Sequence, residues 1–166
     1  MRKVSTLVII VEPSRILLGM KKRGFGVGKW NGFGGKVEAQ DKTVMEGAQR
    51  ELQEEASITA TDLTQAGLMA FDFPDGSCEP LLVHVFKATK YQGEVEESEE
   101  MRPVWFSRES IPFHEMWEDD ILWFPKMFDN VPFVAKFTFK DLHTMVDHDV
   151  TALADGESFE ELAKSI

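Results

Sequence analysis

The sequence predicts an α+β domain, a sandwich built on a mixed β-sheet. Three features carry that expectation. Apolar, β-branched runs of strand length recur along the chain, few long helical patterns interrupt them, and strands and helices follow in mixed order. At 166 residues the chain is long enough for one domain with a substantial core.

Val4 to Val11 (VSTLVIIV) is β-branched and apolar, the pattern of a buried strand. Glu12-Pro13-Ser14 turns the chain, and Arg15 to Met20 (RILLGM) reads as the returning strand. Residues 21–36, KKRGFGVGKWNGFGGK, hold six glycines in sixteen residues and four basic residues before Asn31. Glycines let backbone N–H groups approach and cradle phosphate, so this loop is a candidate ligand contact. Its GxGxxG-like spacing opens no βαβ unit, which sets aside a dinucleotide fold.

A helix is expected from about Thr43 to Ala56. Thr43 is its N-cap, Glu46 three residues on completes a capping-box pattern, and Val44, Ala48 and Leu52, with Met45 beside them, face the core. Gly67 to Phe73 alternates as a strand with Phe71 and Phe73 on one face. The turn PDGSCEP leads to a further strand, Leu81 to Ala88, in which His84 reads as a satisfied histidine rather than a metal ligand. Glu94 to Glu100 carries five glutamates in seven residues, a solvated acidic loop. Its last member, Glu100, stands at the entrance to the strand Val104 to Phe106 and is better held than the rest.

Ile121 to Asn130 starts as a short helical turn that Pro125 should break. Phe133 to Phe139 alternates cleanly as a strand, with Thr144 to Val150 a further one. The expected organisation is a domain over 1–150 and an acidic tail over 151–166, packed or partly helical around Ser158 to Lys164, with no assigned function.

A composition of 43% hydrophobic and 28% charged residues is that of a soluble globular protein. The net charge of −11 argues against binding a nucleic-acid polymer, which needs clustered Lys and Arg, but leaves room for a small polyphosphate held through a metal. A single cysteine, Cys78, excludes an internal disulfide and fits a reducing compartment. No apolar run approaches a membrane span, and Met1 to Lys3 leave no room for a signal peptide before the first strand. The expectation is a monomer in the cytoplasm, with the nucleus and the mitochondrial matrix as further compartments, and no membrane partner.

The most informative stretch is Gly34 to Ile58. Glu51, Glu54 and Glu55 stand at i, i+3 and i+4, so a helix sets three carboxylates on one face, where they repel one another. Arg50 offsets only part of that cost. Hard divalent cations take oxygen ligands, and Mg2+ binds one or two carboxylates together with substrate phosphates. Gly35, a loop, and then Arg50-Glu51-Leu52-Gln53-Glu54-Glu55 resemble the Nudix hydrolase box, G-x5-E-x7-R-E-U-x-E-E-x-G-U with U apolar. The run R-E-U-x-E-E is matched in full.

Two positions depart from the box. Lys42 stands where a glutamate is expected eight residues before Arg50, and Asp41 one residue earlier offers the carboxylate, so the loop is longer by one residue. Ser57 replaces the glycine that follows the helix, where a left-handed residue is common. The resemblance implies a sheet between helices, an α/β/α sandwich, with the box as loop–helix–loop.

LLGMKKRGFGVGKWNGFGGK, VHVF, EMRPVWF, IPFHEMWEDD and WFP extend the resemblance to the animal MutT-homologue branch of the Nudix hydrolases, over residues 4 to about 145. That branch hydrolyses oxidised purine nucleoside triphosphates such as 8-oxo-dGTP and 2-hydroxy-dATP. The resemblance implies a substrate site at Thr6, Lys21, Asn31, Phe33, Gly34, Gly35, Lys36, Trp117, Glu118, Asp119 and Asp120. It implies Mg2+, or Mn2+, held by the carbonyl of Gly34 and by Glu51, Glu54, Glu55 and Glu100. Leu81 and Leu82 stand where the branch has a methionine and an acidic residue, so pocket width is expected to differ.

Residue chemistry agrees with a purine site. Phe25, Phe71, Phe73, Trp117 and Trp123 offer flat apolar faces, and Asn31 offers both a donor and an acceptor. Asp119 and Asp120 in an apolar pocket should hold a proton between them, allowing a hydrogen bond to be donated as well as accepted. If they do not, they cap the short helix that follows. For the chemistry, attack of water at phosphorus yields nucleoside monophosphate and pyrophosphate, with Glu54, Glu55 and Glu100 as catalytic proton acceptors. Two other readings stay open: a Nudix enzyme acting on a dinucleotide or nucleotide sugar, and a silent nucleotide-binding module.

Overall fold

β1 (Lys3–Val11) lies inside the sheet because both of its faces are apolar. The computed structural model describes residues 1–166. Leu7, Ile9 and Val11 point into one core while Val8 and Ile10 point into another, so two layers pack on the two faces of one sheet. The remaining strands are β2 (Arg15–Lys21), β3 (Trp30–Asn31), β4 (Thr59–Ala60), β5 (Thr64–Asp72), β6 (Leu81–Ala88), β7 (Tyr91–Gln92), β8 (Met101–Ser107), β9 (Phe133–Phe139) and β10 (Met145–Ala152). The main sheet runs β10-β9-β5-β6-β1-β2-β3, with β8 also pairing with β2, and β4 and β7 form a separate small ribbon. β1 with β6 and β5 with β9 are parallel, whereas the other pairs are antiparallel. The sheet is therefore mixed, as the order of elements predicts.

α1 (Val44–Ala56) covers one face and α2 (Asp120–Phe128) the other. Ala48, Leu52 and Ala56 recur every fourth residue and bury completely against Val8, Ile10 and Leu17. Trp123, Phe124 and Met127 of α2 fill the opposite core against Ile9, Phe133 and Phe137. The result is the α/β/α sandwich. No helix is long and apolar enough to cross a membrane.

The Thr43 hydroxyl caps α1 by accepting from the Glu46 N–H at 3.1 Å, and the Glu46 carboxylate accepts from the Lys42 N–H at 2.9 Å. Ser57 closes the helix in the left-handed conformation (φ 63°, ψ 25°), the geometry for which glycine is favoured. Four local expectations are revised. Met45 is exposed, one position outside the apolar stripe. α2 runs through Pro125 instead of breaking there: Pro125 and Ile121 are both exposed, so the carbonyl deprived of its donor lies toward solvent. β8 begins at Met101, since Arg102 and Pro103 already pair with Met20 and Gly19 of β2. β10 continues past residue 150 to Ala152, and α3 (Phe159–Ser165) then packs near β5.

Candidate active site

The chain leaving β3 runs back alongside β1. The Thr6 N–H donates to Gly35 O at 2.9 Å, and a Cβ on Gly34 would stand 1.8 Å from the Thr6 carbonyl oxygen. A Cβ on Gly35 would stand 2.6 Å from Glu51 Oε1. Gly34 is therefore required by close packing against the β1 backbone, while a side chain at Gly35 would displace the Glu51 carboxylate. That packing brings the Gly34 N–H to Glu55, which accepts through Oε1 at 2.9 Å. Glu55 is only 3% exposed, and its Oε2 has no hydrogen-bond partner; the Lys21 ammonium is 3.9 Å away. Burial pushes the Glu55 carboxyl up to about 8, against the Gly34 hydrogen bond and Lys21.

Arg50 organises the neighbouring acidic groups. Its Nε and Nη2 meet the two oxygens of Asp41 at 2.9 Å each, Nη2 also donates to Lys36 O at 3.1 Å, and Nη1 reaches Glu51 at 3.1 Å and Glu54 at 3.4 Å. This bidentate bond holds the Asp41 carboxyl below its usual range. Asp41 thus takes the arginine-holding role despite the longer loop. Burial raises Glu51, whereas the hydrogen bond from Lys21 at 3.2 Å lowers Glu100.

Glu51, Glu55 and Glu100 interact electrostatically with one another, yet no three acidic side chains converge into a ready-made metal cage. Arg50 pairs with Glu51 and Glu54, and Lys21 with Glu100 and, at 3.9 Å, Glu55. The residues nevertheless fit a hard divalent cation: the buried Glu55 Oε2 lacks a hydrogen-bond partner, Glu51 and Glu100 beside it offer further carboxylate oxygens, and Mg2+ completes its shell with water and phosphate.

Beside this cluster, a cavity of about 350 Å3 opens on the α2 side of the sheet. Thr6, Lys21, Gly34, Gly35, Lys36 and Glu55 line the end nearest α1. Phe25, Asn31, Phe71, Phe73, Trp117, Asp119 and Asp120 contribute aromatic walls and polar groups to the same cavity. Phe25 packs on Trp117 at 5.1 Å between ring centroids, leaving Phe71 and Phe73 among the sheet aromatics. A volume of this size suits one small ligand.

Asp119 and Asp120 are each 2% exposed. The Trp123 indole N–H donates to Asp119 Oδ2 at 2.9 Å, while Asp119 Oδ1 and Asp120 Oδ2 have no partner. Burial pushes Asp119 up to about 6 and, with the adjacent Asp119 charge, raises Asp120 well above the usual range. Asp119 makes no side-chain cap on α2, so the helix-capping alternative is set aside. Burial thus favours keeping a proton on the pair, and a protonated carboxyl there would offer a donor beside the acceptors.

Three side chains expected in the pocket stand elsewhere. Phe33 is fully buried in the core under α1. Trp123 lies behind Asp119 in the opposite core and touches the site only through its indole N–H. Glu118 turns outward and accepts from the Met145 N–H at 2.6 Å. Two basic residues of the glycine loop are also committed: Lys22 pairs with Glu97 at 2.6 Å and Arg23 with Glu99 at 3.3 Å. Those pairs make the acidic segment a clasp for that loop. The cavity also includes Leu7, Met69, Val83, Cys78 and Glu79, which sequence reasoning missed. Met69 shares the strand parity of Phe71 and Phe73, and Leu7 that of the β1 face, so strand alternation carried a signal for both.

Residues 1–127 match the NUDIX domain. The oxidized purine nucleoside triphosphate hydrolase of Danio rerio is 49% identical over 153 residues, covering 92% of this chain and 97% of that one. Its counterpart from Mus musculus is 45% identical over 148 residues, covering 89% and 94%. Among solved structures, the mMutator MutT protein from Bacillus halodurans superposes with a TM-score of 0.78 at 24% identity, over 94% of this chain and 99% of that chain, a likeness of fold. The domain match, the relatives and the arginine–carboxylate geometry of α1 agree: this chain belongs to the Nudix hydrolase family.

Proposed function

We propose that this protein hydrolyses oxidised purine nucleoside triphosphates, 8-oxo-dGTP and 2-hydroxy-dATP among them, to nucleoside monophosphate and pyrophosphate. The observation that carries this reading is a purine-sized cavity lined by the buried Asp119–Asp120 pair, with a carboxylate cluster beside Gly34–Gly35. The named relatives support the same substrate class.

Phe25, Trp117, Phe71 and Phe73 enclose the base, and Asn31, Asp119 and Asp120 read its edge. Lys36, Lys21 and the backbone of Gly34–Gly35 receive the phosphate chain. Glu51, Glu54, Glu55, Glu100 and the Gly34 carbonyl would hold Mg2+, which supplies charge neutralisation of the phosphates and a lower pKa for water. Water displaces pyrophosphate at phosphorus, and its proton passes to a carboxylate of this cluster. Glu54, Glu55 and Glu100 are the acceptors present; burial lifts Glu55 to about 8, whereas the Lys21 hydrogen bond lowers Glu100.

Steady-state hydrolysis of 8-oxo-dGTP beside dGTP, with Mg2+ and with chelator, tests the proposal when products are identified by mass. A strong Mg2+-dependent preference for the oxidised nucleotide is expected. Equal rates would discard the selectivity, and no turnover of either would discard the reaction.

A further inference from the structure

We infer that Lys21 is the exchangeable counter-ion of the carboxylate cluster: its ammonium holds Glu55 and Glu100 in the metal-free protein and gives them up to a divalent cation. It is a positioning residue, and the inference rests on the metal-assisted reading above. Lys21 Nζ donates to Glu100 Oε2 at 3.2 Å and stands 3.9 Å from Glu55 Oε2. One ammonium thus bridges a carboxylate at the entrance to β8 and one from α1.

The two contacts are unequal. At 3.9 Å the ammonium gives Glu55 Oε2 a neighbouring charge but no hydrogen bond, and this buried oxygen has no other partner. Leaving a buried acceptor unsatisfied is costly. A hard cation that approaches oxygen to about 2.1 Å satisfies it better than an ammonium held away by Glu100.

Arg50, the other cation of the cluster, cannot make the same exchange. Its fork is engaged by both oxygens of Asp41, by the Lys36 carbonyl and by Glu51. Lys21 is instead a point charge on a flexible stem. Its backbone is anchored at the end of β2: the N–H donates to Lys29 O at 3.1 Å, and the carbonyl accepts from the Gly28 N–H at 2.9 Å. Only the stem has to turn. The side chain also lines the cavity beside Gly34 and Gly35, so a released ammonium stays next to the path assigned above to the phosphate chain. Arg23 reaches the other Glu100 oxygen at 3.8 Å, so Glu100 keeps a cationic partner when Lys21 leaves. Lys3 and Lys36 line the same cavity, yet neither pairs with the cluster, and Lys3 goes to Glu79 at 3.6 Å.

The test reads the amine itself. The nucleotide-free protein is acetylated briefly at about pH 8, where a small fraction of each lysine is unprotonated, with and without Mn2+ at matched ionic strength. Labelling is read residue by residue by mass, and bound Mn2+ is counted by EPR. Mn2+ is expected to raise Lys21 labelling about three- to tenfold, the gain in free amine when a lysine loses a close carboxylate. Lys22, paired with Glu97, should change little. Glu100→Gln without metal should raise Lys21 labelling in the same direction. A fixed structural ion pair would not respond to Mn2+. Bound Mn2+ with unchanged Lys21 labelling, a rise shared equally by Lys22, or Glu100→Gln labelling Lys21 like wild type each overturns the inference alone. Absence of bound Mn2+ overturns the metal-assisted reading, and the inference with it.

Discussion

Replacing Glu55 by glutamine should make the metal-free protein more stable at alkaline pH while breaking up the carboxylate cluster. Glu55 is 3% exposed, and its carboxyl is raised from 4.5 to about 8, chiefly by burial. The folded state therefore keeps a proton that the unfolded chain has released above about pH 4.5. The stabilising contribution is complete below that pH, falls as pH rises, and is lost once Glu55 ionises near pH 8. The full shift corresponds to about 4–5 kcal/mol. Relaxation around the site, with Lys21 only 3.9 Å away, makes about 3 kcal/mol a sounder working value.

For a chain of this size, about 3 kcal/mol moves Tm by ~6–12 °C. Melting curves in chelator at pH 4.5, 6 and 8 should show that much additional loss in wild type relative to Glu55→Gln. Both proteins carry the Asp119–Asp120 pair, so its own pH dependence cancels in the comparison. Mg2+ at pH 8 should raise the wild-type Tm more than that of the variant, and turnover in the variant should fall at least about 100-fold. Parallel Tm curves for the two proteins across pH would refute the argument from burial.

Ser57→Gly should stabilise the fold by about 0.5–1 kcal/mol, because Ser57 occupies φ 63°, ψ 25°; a denaturant midpoint no higher than wild type would count against left-handed strain. Gly34→Ala places a Cβ 1.8 Å from the Thr6 carbonyl oxygen, and should cost about 3 kcal/mol and abolish turnover, as checked by melting and by 8-oxo-dGTP hydrolysis. Asp119→Asn removes a carboxyl that titrates at about 6, so the pH profile of kcat/KM should lose its change around that pH and the ranking of 8-oxo-dGTP against 2-hydroxy-dATP should alter. An unchanged profile and ranking would show that the pair does not read the base through its proton.

Much of the site was legible from local pattern. Helix period, the Thr43 cap, the order of Arg50 and its glutamates, and the carboxylate offered by Asp41 are properties of short segments, and each appears where the spacing places it. Strand alternation likewise fixed the cavity face of Phe71 and Phe73. What a periodic face packs against is not a local property.

Glu54 and Glu55 are neighbours on one helix, yet the side chain of one is 58% exposed and that of the other 3%, because the close approach of Gly34 to β1 covers only Glu55. Trp123 looks like a base platform in sequence and Phe33 is implied in the site by the resemblance, but packing turns them into opposite cores. The acidic segment likewise becomes a clasp for the glycine loop only when β8 lies beside β2. The sequence by itself determined most of the long elements, the Thr43 cap and the family of chemistry. Tertiary packing decided which carboxyls lose water and keep a proton, since desolvation depends on contacts between segments far apart in the chain.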